Sequence, residues 1–248
     1  MTLKEKAEVF LGLHKPGDPV ILPTVWDAWS AKLVQEGGFA AITVGSHPLA
    51  DSVGKGDGEG MDFADVTRRV REITAAVDIP VSVDLESGYG LKPGDLIEGL
   101  LEAGAVGFNI EDTVHREGKR LRAPQEHADL IAELRQAADG TGVHVVINAR
   151  TDVIMRPDVT GDKIEEALSR LRLCATAGAD VLYPVGVHNA ETQRRLCSEL
   201  PLPVNAIDFP EKASRAQYAE LGAARVSFGP FLQRALTTEA TRLFEAWR

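Results

Sequence analysis

VSVDLESGYG, residues Val81 to Gly90, follows Ile79-Pro80 as a short apolar run that breaks abruptly into acid and glycine. Val81, Val83 and Leu85 alternate with Ser82, Asp84 and Glu86, a period of two that reads as a β-strand. The alternation predicts that Asp84 and Glu86 share one side at the C-terminal end of that strand. Two neighbouring carboxylates repel each other unless a cation or a shared proton relieves them. A hard divalent ion is the simplest relief, since Mg²⁺ is usually held by one or two carboxylates together with waters and substrate oxygens. An isolated D-x-E also suits a solvated strand end, so its meaning depends on the rest of the chain.

Outward from this stretch, strand-like and helix-like segments alternate. Further strands are expected at Val20–Leu22, Phe39–Val44, Val106–Ile110, Val143–Asn148, Val181–Tyr183, Val204–Ile207 and Arg225–Phe228. Helical patterns lie between them, near 27–36, 62–76, 94–103, 125–138, up to about 177, 190–200 and 213–221, with a last one from about 231. Strands separated by helical crossovers favour a parallel sheet. About eight such units in a chain of 248 residues fit an α/β fold of the (β/α)8 TIM-barrel type, with an open doubly wound sheet as the alternative. No linker or low-complexity segment divides the chain, so residues 1–248 are expected to form a single barrel domain.

Composition bounds the function. The chain is 44% hydrophobic and 26% charged, with a net charge of −10 and no long basic run, which argues against nucleic acid as the main partner. Cys174 and Cys197 are too few for a disulfide framework and suggest reduced thiols in a cytoplasmic protein. The opening MTLKEKAEVFLGLHK is charged and amphipathic rather than a signal peptide, and no stretch is long and apolar enough for a membrane span.

The polar residues cluster at strand ends. Asp57 follows the second strand, Asp84 and Glu86 end the third, Glu111 and Asp112 end the fourth, and Arg150 and Asp152 end the fifth. In a parallel barrel these ends lie on one face, where barrel active sites are built. Several carboxylates and one arginine would therefore converge on a single mouth, and all-oxygen donors without a His/Cys ligand pattern point to a hard metal.

These pieces together resemble the isocitrate lyase/phosphoenolpyruvate mutase superfamily over nearly the whole chain. The matching stretches are LPTVWDAWSAKL, the loop around Ser46 with G-x-x-D-G-E at 54–59, VSVDLESGYG, NIEDT at 109–113, NARTD at 148–152, and PVNA followed by LGAARVSFGP. The resemblance implies a barrel, a homo-oligomer (dimer or tetramer) with exchanged C-terminal helices, and an active-site Mg²⁺ (or Mn²⁺). It also implies 2-oxo or 2-hydroxy carboxylate substrates handled through a pyruvate-like enolate. By motif match Asp84 is the principal metal ligand, with Asp57, Glu86 and Glu111 acting directly or through waters, while Arg150 binds substrate. Gly45, Ser46 and His47 fall where the family grips a carboxylate, and Trp26 and Asn205 complete the expected substrate-binding set.

The chain also departs from that pattern. Isocitrate and methylisocitrate lyases carry a K-[KR]-C-G-H loop whose Cys takes part in proton transfer; here the region reads HREGKRLRAP, with no Cys. The loop from Thr113 to Pro124 is the expected lid, with Lys119, Arg120 and Arg122 as a small basic cluster. Glu86 replaces the Asp of most members. GKGDGEG at 54–60 lacks the phosphate-loop pattern. His115 and His47 are candidate acid/base groups because histidine titrates near neutrality, although a lone loop histidine is more often a surface residue.

Three functions are compatible with these residues. The first is a Mg²⁺-dependent carbon–carbon lyase or decarboxylase acting beside a 2-oxo or 2-hydroxy carboxylate, with Arg150, Glu111 and His115 as catalytic candidates. The second is a P–C bond enzyme of the phosphonopyruvate hydrolase or phosphoenolpyruvate mutase type. The third is a relic that binds a dicarboxylate without turnover. None involves nucleic acid or a membrane.

Overall fold

In the computed structural model, which describes residues 1–245 and 247–248, parallel strands close into a ring. β1 runs Val20–Leu22 and, beyond Pro23, Thr24–Val25; β2 is Ile42–Val44, β3 Val81–Asp84 and β4 Gly107–Ile110. β5 is Val146–Thr151, β6 Val181–Pro184, β7 Asn205–Ile207 and β8 Arg225–Ser227. Pro23 has no N–H to give, so β1 is interrupted and its halves serve different neighbours. Val20–Leu22 pairs with β8, and Thr24–Val25 pairs with β2. Hydrogen bonding runs from β1 through β2, β3, β4 and β5 to β6, and from β1 through β8 to β7. A bridge between Leu182 and Val204 joins β6 to β7 and completes the (β/α)8 barrel.

The helices are α1 Leu3–Gly12, α2 Ala28–Glu36, α3 Ser46–Ser52, α4 Phe63–Thr74 and α5 Pro93–Glu102. They continue as α6 Pro124–Asp139, α7 Lys163–Thr176, α8 Ala190–Glu199, α9 Arg215–Glu220 and α10 Phe231–Glu245. The main core lies between strands and helices. Ile42, Val44, Val81, Val83, Phe108 and Ile110 face outward against helix stripes such as Val66, Val70 and Ile73 of α4, spaced for one helical face. Below the barrel, α1 inserts Phe10 among Val20, Leu22, Val146 and Val181. A Cβ at Gly107 would stand 2.5 Å from the Phe10 ring, so this plug requires glycine on β4.

Three local features differ from the sequence reading. The stretch around Ser46 is a helix, α3, rather than a loop. The expected lid contains a short antiparallel hairpin, Thr113–Val114 against Arg120–Leu121, turned through Gly118 and Lys119 at φ 69° and 60°. β3 ends at Asp84, and Glu86 sits at φ 50°. The period of two therefore stops short of Glu86, whose position is set by a turn rather than by strand alternation. Among the described residues no helix is long and apolar enough to cross a membrane.

Candidate active site

The C-terminal strand ends open into a cavity of ≈ 570 Å³. Its polar floor and near wall include Gly45, Ser46, His47, Asp57, Asp84, Asn109 and Arg150. The opposite wall is largely apolar, with Ile154, Met155, Val185, Val187, Ile207 and Phe231, and Arg234 and His188 lie on its border.

Inward-facing positions at the strand tops supply the charged floor. Register pairs Asp84 of β3 with Asn109 of β4, Asn109 with Asn148 of β5, and Arg150 of β5 with Tyr183 of β6. Arg150 is the hub: Nη1 lies 2.7 Å from Glu111 Oε2 and 3.4 Å from Asp84 Oδ2, and Nε lies 2.7 Å from Asp152 Oδ1. Burial works against its charge, but Asp152, Glu111 and Asp84 more than offset this and hold its pKa well above the usual value. Asp84 also accepts from the Ser46 hydroxyl at 3.4 Å and from the Glu86 N–H at 3.2 Å. Its pKa is raised chiefly by burial, which Arg150 opposes and Asp57 reinforces.

Behind this floor lies a second acidic group. Glu111 Oε1 is 2.6 Å from His115 Nε2, and Glu86 Oε2 is 3.8 Å from the same nitrogen. Glu86 also accepts from the Glu59 N–H at 2.6 Å and the Tyr89 hydroxyl at 3.1 Å. Burial pushes Glu111 up to about 8 and Glu86 up to about 7, Asp84 adding to the rise at Glu86. The hydrogen bond to Glu111 raises His115. A proton is therefore held within the Glu86–His115–Glu111 group near neutral pH.

The sequence-predicted residues thus divide. Gly45, Ser46, His47, Asp57, Asp84 and Arg150 line the cavity; Glu86, Glu111 and His115 lie behind it. Gly45 precedes α3 at a point where a Cβ would meet Thr24 Cγ2 at 2.5 Å, which lets the backbone enter the wall closely. His47 Nδ1 is 3.6 Å from Asp57 Oδ2, but the side chains are 41% and 46% exposed, so the pair is weak. Trp26 packs in the core, and Asn205 lies buried beneath Ser227 at a long 3.5 Å. Neither of these two lines the cavity. Asn109 and Tyr183 were missed by the sequence reading; their inward positions follow from strand alternation, but neither residue type signals chemistry by itself.

No three His, Cys, Asp or Glu side chains among the described residues converge into a metal cage. The donors nevertheless suit Mg²⁺, which takes one or two carboxylates and fills its other positions with water and substrate. Asp84, facing the cavity, fits a direct ligand; Asp57 is the second carboxylate on the cavity wall.

Comparison with known proteins identifies the family and the fold. The family model for phosphoenolpyruvate phosphomutase matches residues 10–248. A solved structure of a provisionally named phosphonomutase from Burkholderia cenocepacia J2315 is 40% identical, covering 96% of this chain and 99% of that one at a TM-score of 0.89. The structure of 2,3-dimethylmalate lyase is 26% identical, covering 97% of this chain and 88% of that one at a TM-score of 0.84. The 2-methylisocitrate lyase of Salmonella typhimurium (strain LT2) is 30% identical over 222 residues, 80% of this chain and 72% of that enzyme. The chain belongs to the phosphoenolpyruvate mutase/isocitrate lyase superfamily. This is a superfamily of lyases and mutases acting on small carboxylates.

Proposed function

We propose that this chain is a Mg²⁺-dependent lyase or decarboxylase that cleaves a C–C bond next to a 2-oxo or 2-hydroxy carboxylate through a pyruvate-like enolate. The observation that carries this reading is the pairing of Arg150 with Asp84 on the cavity floor, which sets a guanidinium suited to a substrate carboxylate beside a carboxylate suited to a hard metal. What Mg²⁺ supplies when bound at Asp84, with Asp57, Glu86 and Glu111 in support, is Lewis acidity toward oxygen.

The chain's own groups do the rest. Arg150 takes the substrate carboxylate, for which its planar fork is suited. Ser46 and His47, in the first turn of α3, have N–H groups without intrahelical partners and suit the other carboxylate oxygen. That grip leaves one substrate bond exposed for cleavage. The apolar wall from Ile154 to Phe231 receives the remainder of the substrate and excludes water, which strengthens every charge interaction inside. Glu111 and His115 hold a proton beyond the floor; His115 does not reach the cavity, so His115→Gln is expected to leave turnover near wild type.

The reading is tested with a panel of 2-oxo acids and Mg²⁺, following pyruvate and phosphate. Pyruvate from oxaloacetate supports it. Phosphate from phosphonopyruvate favours the P–C bond alternative, which the 40% identical Burkholderia protein keeps open. Oxalate binding with no turnover of any acid supports a relic. Asp84→Asn is expected to abolish Mg²⁺-dependent oxalate binding with the fold intact, and unchanged metal-dependent affinity would remove Asp84 from the metal site.

A further inference from the structure

Beneath the cavity floor the barrel interior holds a buried cation that forms no salt bridge with a carboxylate among the described residues, Asp84 being the carboxylate whose charge reaches it. This is Arg225, at the start of β8, which is completely buried. Burial lowers its pKa to about 10, which still leaves it charged at neutral pH. Its Nε and Nη1 have no hydrogen-bond partner among the described residues. Below it lies Phe10 of α1, whose ring centroid is 5.9 Å from the guanidinium carbon. His14, packed edge-on to that ring, is kept neutral by burial and by Arg225, with a pKa near 3, so it adds no second positive charge from beneath.

Arg225 makes one directed contact, across the barrel from β8 to β4: Nη2 donates to Asn109 Oδ1 at 3.1 Å. Asn148 Nδ2 donates to the same oxygen at 2.7 Å. A guanidinium has only donors, so the atom facing it must be the amide oxygen, and the flip of Asn109 is thereby decided. The opposite end of this amide, Nδ2, donates to no described residue, and Asn109 lines the cavity between Asp84 and Arg150. An unpaired buried charge destabilises a fold, and replacing one with an apolar side chain of similar volume is often neutral or stabilising. A cation kept in this position is thus better explained by the cavity above it than by stability.

We infer that Arg225 is a positioning residue for the active site: it fixes Asn109 with the amide NH₂ turned toward the ligand and sets a positive charge beneath an anionic substrate. Asn109 then becomes a substrate-binding donor beside Arg150. This rests on the carboxylate-binding reading above and names two further residues that serve it.

The test is calorimetric binding of oxalate with Mg²⁺, together with thermal melting. Arg225→Met is expected to melt at or above the wild-type temperature while binding oxalate roughly tenfold more weakly, the scale of one hydrogen bond to a charged group. Asn109→Ala should show a similar loss, and the double variant should lose less than the sum of the two single losses, because the Arg225–Asn109 contact is shared. Wild-type affinity in Asn109→Ala overturns the inference however Arg225→Met folds. A lowered melting temperature with unchanged affinity in Arg225→Met makes the residue structural and overturns it too. Failure of the wild-type protein to bind oxalate would instead overturn the carboxylate-binding reading, and this inference with it.

Discussion

Arg150 holds three carboxylates with one guanidinium, and its replacement separates binding from folding. Arg150→Lys keeps a charge but loses the planar fork, so oxalate binding should weaken by about 1.5–3 kcal/mol, measured by calorimetry. Arg150→Met leaves Asp84, Glu111 and Asp152 without their shared partner. That variant should lose about 3–5 kcal/mol in denaturant unfolding, the usual cost of breaking a buried ion pair from one side. A Lys variant that unfolds as readily as the Met variant would make Arg150 structural. At this scale Asp84 and Arg150 were legible in the sequence because polar residues at the C-terminal ends of barrel strands share a face. Glu86 was legible as a neighbour but misplaced, since the strand ends at Asp84 and a left-handed turn re-aims the chain beyond it. Arg225 carried no signal. Alternation puts it inward, yet a fully buried, unpaired arginine runs against the general rule for charged residues.

The eight strands and most helices were legible because their apolar residues repeat at periods that only one type of element can bury. The hairpin at residues 113–121 was not, because its contacts are with the rest of the site rather than with an apolar face. Arg116 Nε bonds Glu59 Oε2 at 2.9 Å, and the Lys119 carbonyl accepts from Arg156 Nη1 at 2.6 Å. Glu59 in turn takes the Ser87 hydroxyl and the Tyr89 N–H, so the hairpin, the 54–60 loop and the turn after β3 are tied together. Arg116 is half exposed, which limits its ion pair to about 1 kcal/mol. Arg116→Gln should therefore speed amide hydrogen exchange across Thr113–Leu121 by roughly two- to fivefold. Oxalate with Mg²⁺ should slow it again. Exchange that ignores both changes would mean the hairpin is held by other contacts and does not close over a ligand. At the other end of the barrel, Phe10→Ala should destabilise by about 3–5 kcal/mol, read from denaturant unfolding, because β4 carries glycine at the contact and nothing can fill the space.

For the molecule as a whole, buried titratable groups act on stability in opposite directions. His14 and His127 are held near pKa 3, His14 by burial and Arg225, His127 by burial and Arg122. Their unfolded pKa is near 6.5, so below that pH the unfolded chain binds protons that the native one refuses. Their contribution is present above about pH 6.5 and is lost as pH falls toward 3, on the order of 3 kcal/mol per histidine by pH 4. Glu111 and Glu86, raised to about 8 and about 7, act the other way. The native state keeps their protons where the unfolded carboxylates have released them. Their contribution is full below about pH 4.5 and is lost as pH rises through 7 and 8. Without metal, stability should therefore peak on the acid side of neutrality, between about pH 5 and 6.5, rather than at pH 8. Urea unfolding across pH 4–9 measures this directly. His14→Gln should flatten the acid limb and leave the alkaline limb alone; Glu111→Gln should flatten the alkaline limb and leave the acid one. Mg²⁺ binding displaces protons from carboxylates, so it should lift stability most at pH 8 and move the maximum upward. A metal-free maximum at pH 8, or a Mg²⁺ effect larger at pH 5 than at pH 8, would show that the acids behind the cavity floor are not the protonated, metal-competing groups inferred from their burial.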